Sequence, residues 1–192
     1  MTLYATLSAG RSHTLLRDLV TVVFASILLA VSAKIAVPFF PVPMTMQTLV
    51  VVGLGLALGS RLAVMAVGLY LLEGALGLPV FTGTPERGIG VAYMMGPTGG
   101  FLLGFLFAAG ITGWLAERGW DRNVVFAFLA ALIGAAIIYV PGLLWLGGLI
   151  GWDKPVLEFG FYPFILGDVF KAALAAAIFP AVWSFLRSRD SA

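Results

Sequence analysis

The chain contains few charged residues. Asp, Glu, Lys and Arg make up only 10% of its 192 residues, whereas hydrophobic residues make up 61%. Soluble domains carry roughly 25% charged residues, because a protein surface in water needs polar groups. Disorder is excluded as well, because disordered chains have low hydrophobicity. The composition therefore predicts a membrane protein. Its apolar runs are continuous, which favours helices over the alternating strands of a membrane barrel.

Cysteine is absent, and histidine occurs once, at His13 in the polar amino-terminal tail. These absences exclude disulfides, thiolate metal sites and a cysteine nucleophile, and they leave no basis for a histidine metal site. The sequence also lacks a P-loop and the serine-hydrolase and zinc-protease motifs. We therefore expect no metal, no ATP bound through a P-loop and no enzymatic activity in this chain. The net charge of +2 gives no indication of nucleic-acid binding.

Six apolar segments predict an all-α, polytopic membrane protein that forms one domain over residues 1–192. Crossing the hydrocarbon core takes about 20 apolar residues, so the second segment is short for a span. The first segment also resembles a secretory signal peptide, but the apolar segments that follow favour a first membrane helix. After a cytoplasmic tail of residues 1–16, the predicted helices cover residues 19–37, 47–59, 62–78, 98–116, 123–148 and 162–186.

The basic residues predict how the helices are oriented. Cytoplasmic loops carry an excess of Lys and Arg. If the amino terminus is inside, the external loops contain only Arg87 and Lys154. The cytoplasmic side then contains Arg11, Arg17, Arg61, Arg118, Arg122, Arg187 and Arg189. Both termini are therefore predicted to be cytoplasmic, with re-entrant loops on the external side.

Four ionisable residues fall inside the predicted helices: Lys34, Glu73, Asp168 and Lys171. A charge at mid-membrane costs about 2.5–3.5 kcal/mol on insertion scales, so such residues mark functional sites. All four lie in the external half, which favours a pocket open to the outside over a path across the membrane. Asp168 and Lys171 are three apart and share a helix face; they form either an internal ion pair or a clamp for a ligand. Lys34 could instead reach the interface, and the role of Glu73 stays open.

The external loops carry further candidate residues. Thr98 begins a helix after Gly96 and Pro97, where it either caps the helix or helps to bind an anion. The loop from Thr82 to Gly90 is rich in Gly and Pro, and loops of this length are often lids. Aromatic residues near this level either stack on a ligand or form an interfacial belt; they are Phe39, Phe40, Phe81, Tyr93, Tyr139, Phe161 and Tyr162.

Small residues recur at four-residue spacing on several helices. One such stripe is Gly100, Gly104 and Ala108. Small residues let membrane helices approach closely. Such a stripe serves either packing inside the bundle or docking of a partner membrane protein.

Four motifs resemble the BioY family, the substrate-binding S components of energy-coupling-factor (ECF) biotin transporters. They are Pro-Val-Pro-Met-Thr-Met-Gln-Thr (41–48), Leu-Gly-Leu-Pro-Val-Phe (76–81), Gly-Pro-Thr-Gly-Gly-Phe-Leu-Leu-Gly-Phe (96–105) and Gly-Asp-Val-Phe-Lys (167–171). The resemblance implies a multi-pass protein of the bacterial inner membrane that captures biotin at the external face. It also implies partners, namely a transmembrane coupling protein and two ATPase subunits. ATP would be used by those subunits, and this chain would need no cofactor.

The resemblance further implies site residues. Asp168 and Lys171 match the family's ligand-contacting pair on the last helix, and Thr45 and Gln47 match its first-loop motif. An Asp can accept hydrogen bonds from the ureido N–H groups of biotin, and a Lys can donate to one of its oxygens; which oxygen stays open. Further expected contacts are Gly83, Thr84, Arg87 and Tyr93. The pair Ser26 and Ala30 resembles the small-x-x-x-small pattern through which S components meet the coupling protein.

Two other functions remain compatible with the sequence. One is an S component for another small vitamin that carries a carboxylate. The other is a structural membrane subunit that binds no ligand, in which Asp168 and Lys171 neutralise each other.

Overall fold

The structure, a computed structural model, describes residues 2–7 and 15–190, with no side-chain description for residues 189 and 190. His13 and Arg11 lie outside the described residues, as does the side chain of Arg189. The described chain is mostly helical. Its elements are α1 (Leu3–Leu7), α2 (Leu15–Lys34), β1 (Ala36–Val37), β2 (Met44–Thr45), α3 (Gln47–Leu58), α4 (Ser60–Ala75), α5 (Gly90–Met94), α6 (Gly99–Glu117), a 3₁₀ turn (Trp120–Arg122), α7 (Val124–Ile150), α8 (Val156–Gly160) and α9 (Tyr162–Asp190).

Four stretches of the described chain are long and apolar enough to cross a membrane. They are α2, α6, α7 and the stretch Val156–Ser188, which joins α8 to α9. Helix α3 is apolar but has only 12 residues, as predicted for the short segment. It turns into the 16-residue α4 at Gly59, whose φ of +85° few other residues adopt.

The segment after α2 differs from the prediction. Helix α2 ends at Lys34 instead of continuing to residue 37, and Ala36–Val37 pair antiparallel with Met44–Thr45. Pro38 cannot donate a backbone hydrogen bond to a helix, and strand pairing satisfies the neighbouring backbone groups instead. The proline-rich segment is thereby held as a hairpin. The ends of α2, α4 and α7 and the starts of α3, α6 and α9 lie around it, and we call this end of the bundle the hairpin end.

Other helix boundaries also differ from the prediction. Helix α4 ends at Ala75 instead of residue 78, because Gly77 has a φ of +93° and breaks the helix. The predicted tail contains α1, and the short helices α5 and α8 were not predicted. Helices α7 and α9 continue through Pro141 and Pro180.

The stripe of small residues on α6 packs inside the bundle. A methyl group added to Gly104 would lie 2.8 Å from the backbone of Ile138, and one added to Gly100 would lie 2.3 Å from the carbonyl oxygen of Pro141. Ala108 is fully buried. The stripe therefore brings the backbones of α6 and α7 together. Of its two interpretations, packing inside the bundle is confirmed.

Candidate functional site

A cavity opens among the helices at the hairpin end; its empty space, including the part that is open to solvent, is about 610 Å³. The cavity is lined by the β-hairpin, by the loop before α5, and by α3, α4, α5, α6, α7 and α9. The lining residues are Val42, Pro43, Met44, Thr45, Gln47, Thr48, Tyr70, Phe81, Thr82, Tyr93, Thr98, Phe101, Leu102, Phe105, Ile138, Tyr139, Phe164, Asp168 and Lys171.

A buried ion pair lies at one side of the cavity. Lys171 Nζ is 3.1 Å from Asp168 Oδ1, and each residue is only 7% exposed. The shared helix face predicted for these two residues brings them together, and both also line the cavity. The pair is therefore internal and at the same time accessible to a ligand, so the two interpretations of the sequence do not exclude each other.

Two neutral residues, Thr48 and Tyr139, form hydrogen bonds with this ion pair. Lys171 donates to the Thr48 hydroxyl (2.7 Å), which in turn donates to Asp168 Oδ1 (3.2 Å). The Tyr139 hydroxyl donates to Asp168 Oδ2. Charges in a low-dielectric interior are tolerated when they are paired and hydrogen-bonded. Helices α3, α7 and α9 therefore meet at this ion pair.

Gln47 connects the β-hairpin, α4 and the loop before α5. Its amide nitrogen donates to the Tyr70 hydroxyl at 2.7 Å, and its amide oxygen accepts from Thr45 at 3.2 Å and from Thr82 at 3.4 Å. Thr82 also donates to the carbonyl oxygen of Ala33 at the end of α2 (2.9 Å). The Gln47 side chain is 4% exposed, so a buried network of neutral groups forms a second polar region of the cavity wall.

Three aromatic rings form a wall that joins the loop before α5, α5 itself and α4: Phe81, Tyr93 and Tyr70. The Phe81 ring stacks on Tyr93 (centroids 4.8 Å apart, planes at 18°) and meets Tyr70 edge-on (5.4 Å). Phe81 packs over Gly74, where a methyl group would lie 2.0 Å from its ring. Burial raises the pKa of the Tyr93 hydroxyl, so this hydroxyl stays protonated and can donate. The wall offers a flat apolar surface with hydroxyl groups at its edges.

The predicted lid loop contributes to the cavity through fewer residues than expected. Phe81 and Thr82 line it, whereas Gly83, Thr84 and Arg87 lie outside its lining. Gly83 has a φ of +70°, and the aliphatic part of Arg87 lies against it, 2.9 Å from where a methyl group on Gly83 would be. Thr84 donates to the carbonyl oxygen of Phe81 (2.7 Å). In this structure these three residues support the loop and do not face the cavity.

Lys34 fastens this loop to the bundle. Its ammonium group donates to the carbonyl oxygen of Phe81 (2.8 Å) and to the Thr84 hydroxyl (3.1 Å). Lys34 is exposed, so its charge keeps contact with the surroundings, as expected of a lysine at a helix end. The ammonium group therefore holds the backbone next to two cavity-lining residues.

The proposed docking pair on α2 requires a correction. Ser26 is 0% exposed, and its hydroxyl donates to Glu73 Oε1 at 3.0 Å. Ala30 is partly buried against the core. Ser26 therefore faces α4 and is not available to a partner in this structure, because a carboxylate inside the bundle needs a donor. The same contact accounts for Glu73, whose role the sequence left open.

Of the two roles expected for Thr98, helix capping is wrong. It precedes α6, but its side chain makes no capping hydrogen bond. Thr98 lines the cavity instead. Nearby, the Gly96 carbonyl accepts from the Trp145 indole at 2.9 Å, which ties this turn to α7.

Of the predicted site residues, the structure brings five to the cavity: Thr45, Gln47, Tyr93, Asp168 and Lys171. Three further lining residues were not predicted as site residues, namely Thr48, Tyr70 and Thr82. Tyr139 was predicted only as one of the aromatic residues near the external interface. Thr48 lies on the same helix turn as Gln47, which is a signal that could have found it. No signal in the sequence places Tyr139 beside Asp168. The described residues contain no group of three metal-ligating side chains.

Comparison with known proteins gives consistent matches. A model of the BioY family matches residues 5–188. The chain is 42% identical over 177 residues to the biotin transporter BioY of Rhizobium etli, covering 86% of this chain and 92% of that protein. It is 39% identical over 151 residues to a probable biotin transporter BioY of Pyrococcus horikoshii, covering 79% and 86%.

A solved structure also resembles the fold. The crystal structure of an S-component for biotin from an ECF-type ABC transporter superposes with a TM-score of 0.75 at 25% identity, covering 92% of this chain and 95% of that chain. The similarity therefore extends over most of both chains.

Proposed function

The chain belongs to the BioY family, and from this premise we propose that it is the biotin-binding S component of an ECF-type ABC transporter. The observation that carries the proposal is one cavity in which residues of all four family-like motifs converge, among them Thr45, Gln47, Asp168 and Lys171. Its role is to bind a substrate and not to catalyse a reaction.

The cavity suits a small ligand that is polar at one end. Asp168 can accept from a ureido N–H group of biotin, and Lys171 can donate to an oxygen. The Tyr70, Phe81 and Tyr93 rings offer an apolar surface for the rest of the ligand. Gln47 and the threonine hydroxyls around it supply neutral donors and acceptors.

In the membrane, we propose that α2, α3, α4, α6, α7 and α9 all cross the bilayer, with both termini in the cytoplasm. The loops then place Arg61, Arg118 and Arg122 on the cytoplasmic side, in accord with the excess of basic residues there. The cavity at the hairpin end consequently opens to the outside of the bacterial inner membrane. Biotin would be captured from that side.

Uptake requires partner subunits in this proposal. The sequence contains no P-loop, so the energy would come from a transmembrane coupling protein with two ATPase subunits. Ser26 is buried against Glu73 in this structure, so we propose that other residues form the surface that meets these partners.

Equilibrium binding to the purified protein tests the proposal. We expect biotin to bind and to outcompete other carboxylate-bearing vitamins, such as lipoate and pantothenate. A different vitamin that outcompetes biotin would overturn the assigned substrate and keep the transporter class. Absence of binding by every vitamin tested would favour a structural subunit.

Replacing Lys34 by methionine should accelerate biotin exchange. The change removes the two hydrogen bonds that fasten the loop beside Phe81 and Thr82. Hydrogen bonds of a charged group contribute about 1.5–3 kcal/mol, so we expect the dissociation rate to rise about tenfold or more. Stopped-flow binding measures it.

Lys154→Met serves as the control, because Lys154 is an exposed cation that lies outside the cavity lining and outside this loop. Unchanged association and dissociation rates in Lys34→Met would contradict a fastening role for Lys34.

A further inference from the structure

The hydrogen bonds around Asp168 leave few positions for a ligand. Oδ1 accepts from both Lys171 and Thr48, and Oδ2 accepts from Tyr139. A carboxylate has about two acceptor positions on each oxygen. Oδ1 is therefore filled, and Oδ2 retains one position.

Lys171 is limited in the same way. Its ammonium group has three N–H donors, of which one points to Thr48 and one to Asp168. One donor remains. The charged side of the cavity therefore offers a ligand one acceptor and one donor next to each other.

The Tyr139 hydroxyl is held in place by packing. Its ring meets Phe161 edge-on at 4.8 Å and Phe101 edge-on at 6.3 Å. Edge-to-face contacts of this kind favour one ring orientation. The ring cannot turn away without losing both contacts, so the hydroxyl is prepared to donate to Asp168 before a ligand arrives.

We propose that Tyr139 is a positioning residue that determines ligand specificity. Its hydroxyl occupies one acceptor position on Asp168 Oδ2. The ion pair can therefore recognise only an adjacent N–H and C=O, which form the edge of a cyclic urea. This inference rests on the proposed biotin-binding function and extends it to a residue outside the family-like motifs. A ligand with hydrogen-bond donors on both atoms of that edge finds only one free acceptor, on Asp168 Oδ2. Its second donor then faces the ammonium group of Lys171.

The variant Tyr139→Phe removes the hydroxyl and keeps the ring. The probes are biotin and 2-iminobiotin, in which a protonated C=N–H group replaces the ring carbonyl and presents only donors. Because the Asp168 carboxylate loses the hydrogen bond that orients it for the ligand, biotin affinity should fall, by up to about tenfold. The iminobiotin affinity should fall less or rise, because Asp168 gains a free acceptor position. The preference for biotin over iminobiotin should therefore narrow.

Tyr162→Phe is the matched control, because Tyr162 is an exposed tyrosine at the start of the same helix as Asp168. If loss of the hydroxyl disturbed the fold in general, both ligands would be weakened equally, and that result would overturn the inference. Unchanged biotin affinity would overturn it too.

A second measurement holds even if Tyr139→Phe lowers the amount of folded protein. In an Asp168→Asn background, Tyr139→Phe should change biotin affinity little, because Tyr139 acts through Asp168. An equal loss of affinity with Asp168 and with Asn at this position would contradict the inference. If the unchanged protein binds no biotin, the proposed function fails, and that outcome is distinct from failure of the role of Tyr139.

Discussion

Replacing Lys171 by methionine is expected to weaken biotin binding about tenfold to a hundredfold, because a hydrogen bond from a charged donor contributes about 1.5–3 kcal/mol. The same change should lower stability, since it leaves the buried Asp168 carboxylate without its cation. Removing one partner of a buried ion pair typically costs about 3–5 kcal/mol. Equilibrium binding and thermal unfolding in detergent measure the two effects.

The double variant Asp168→Asn with Lys171→Met separates recognition from packing. With both charges removed, stability should return towards that of the unchanged protein, because no unpaired charge stays buried. Affinity should remain low, because the acceptor and donor for the ligand are both altered. Full binding by the double variant would support a structural ion pair and contradict the clamp.

The matched control for these variants is Lys154→Met. Lys154 pairs with Asp153 at 3.3 Å, but both side chains are exposed. Exposed ion pairs contribute about 0–1 kcal/mol, so neither affinity nor stability should change appreciably.

Replacing Gly100 by alanine is expected to destabilise the bundle strongly. The added methyl group would lie 2.3 Å from the Pro141 carbonyl oxygen and 2.3 Å from Trp145 Cβ. These atoms belong to or lie close to the backbone of α7, so α6 and α7 would have to move apart. Inserting a methyl group into a packed core costs about 1–3 kcal/mol or more. A lower unfolding temperature in detergent would show it.

Gly68→Ala is the control for this variant. Gly68 lies in α4, and a methyl group there would meet nothing within 4 Å. Alanine has the higher helix propensity, so Gly68→Ala should leave the unfolding temperature unchanged or raise it. An equal decrease in both variants would contradict a specific contact between α6 and α7.

Most of the helical framework could be predicted from the sequence. The apolar runs that became α2, α3, α4, α6, α7 and α9 stand out because a membrane-spanning helix requires a continuous apolar segment. The hairpin of β1 and β2 and the short helices α5 and α8 were not predicted. Such short elements depend on contacts with the bundle and carry little periodicity of their own.

The candidate site, like the fold, could be predicted from the sequence only in part. Asp168 and Lys171 could be found because a charge inside an apolar helix is costly and therefore rare. Gly83, Thr84 and Arg87 were expected at the cavity, yet the loop turns them away from it. Ser26 was expected on the outer surface and is buried instead, because spacing along one helix does not reveal which face meets a neighbouring helix.

The sequence by itself determined that this protein is a helical membrane protein with a charged pair inside its last helix, because composition and apolar periodicity report directly on the solvent around each segment. It also determined the BioY family, through motifs distributed along the chain. Only the tertiary structure decided which groups surround that pair. Thr48 and Tyr139 lie 120 and 29 residues from Asp168, and their contact depends on how α3, α7 and α9 pack, which no local pattern specifies.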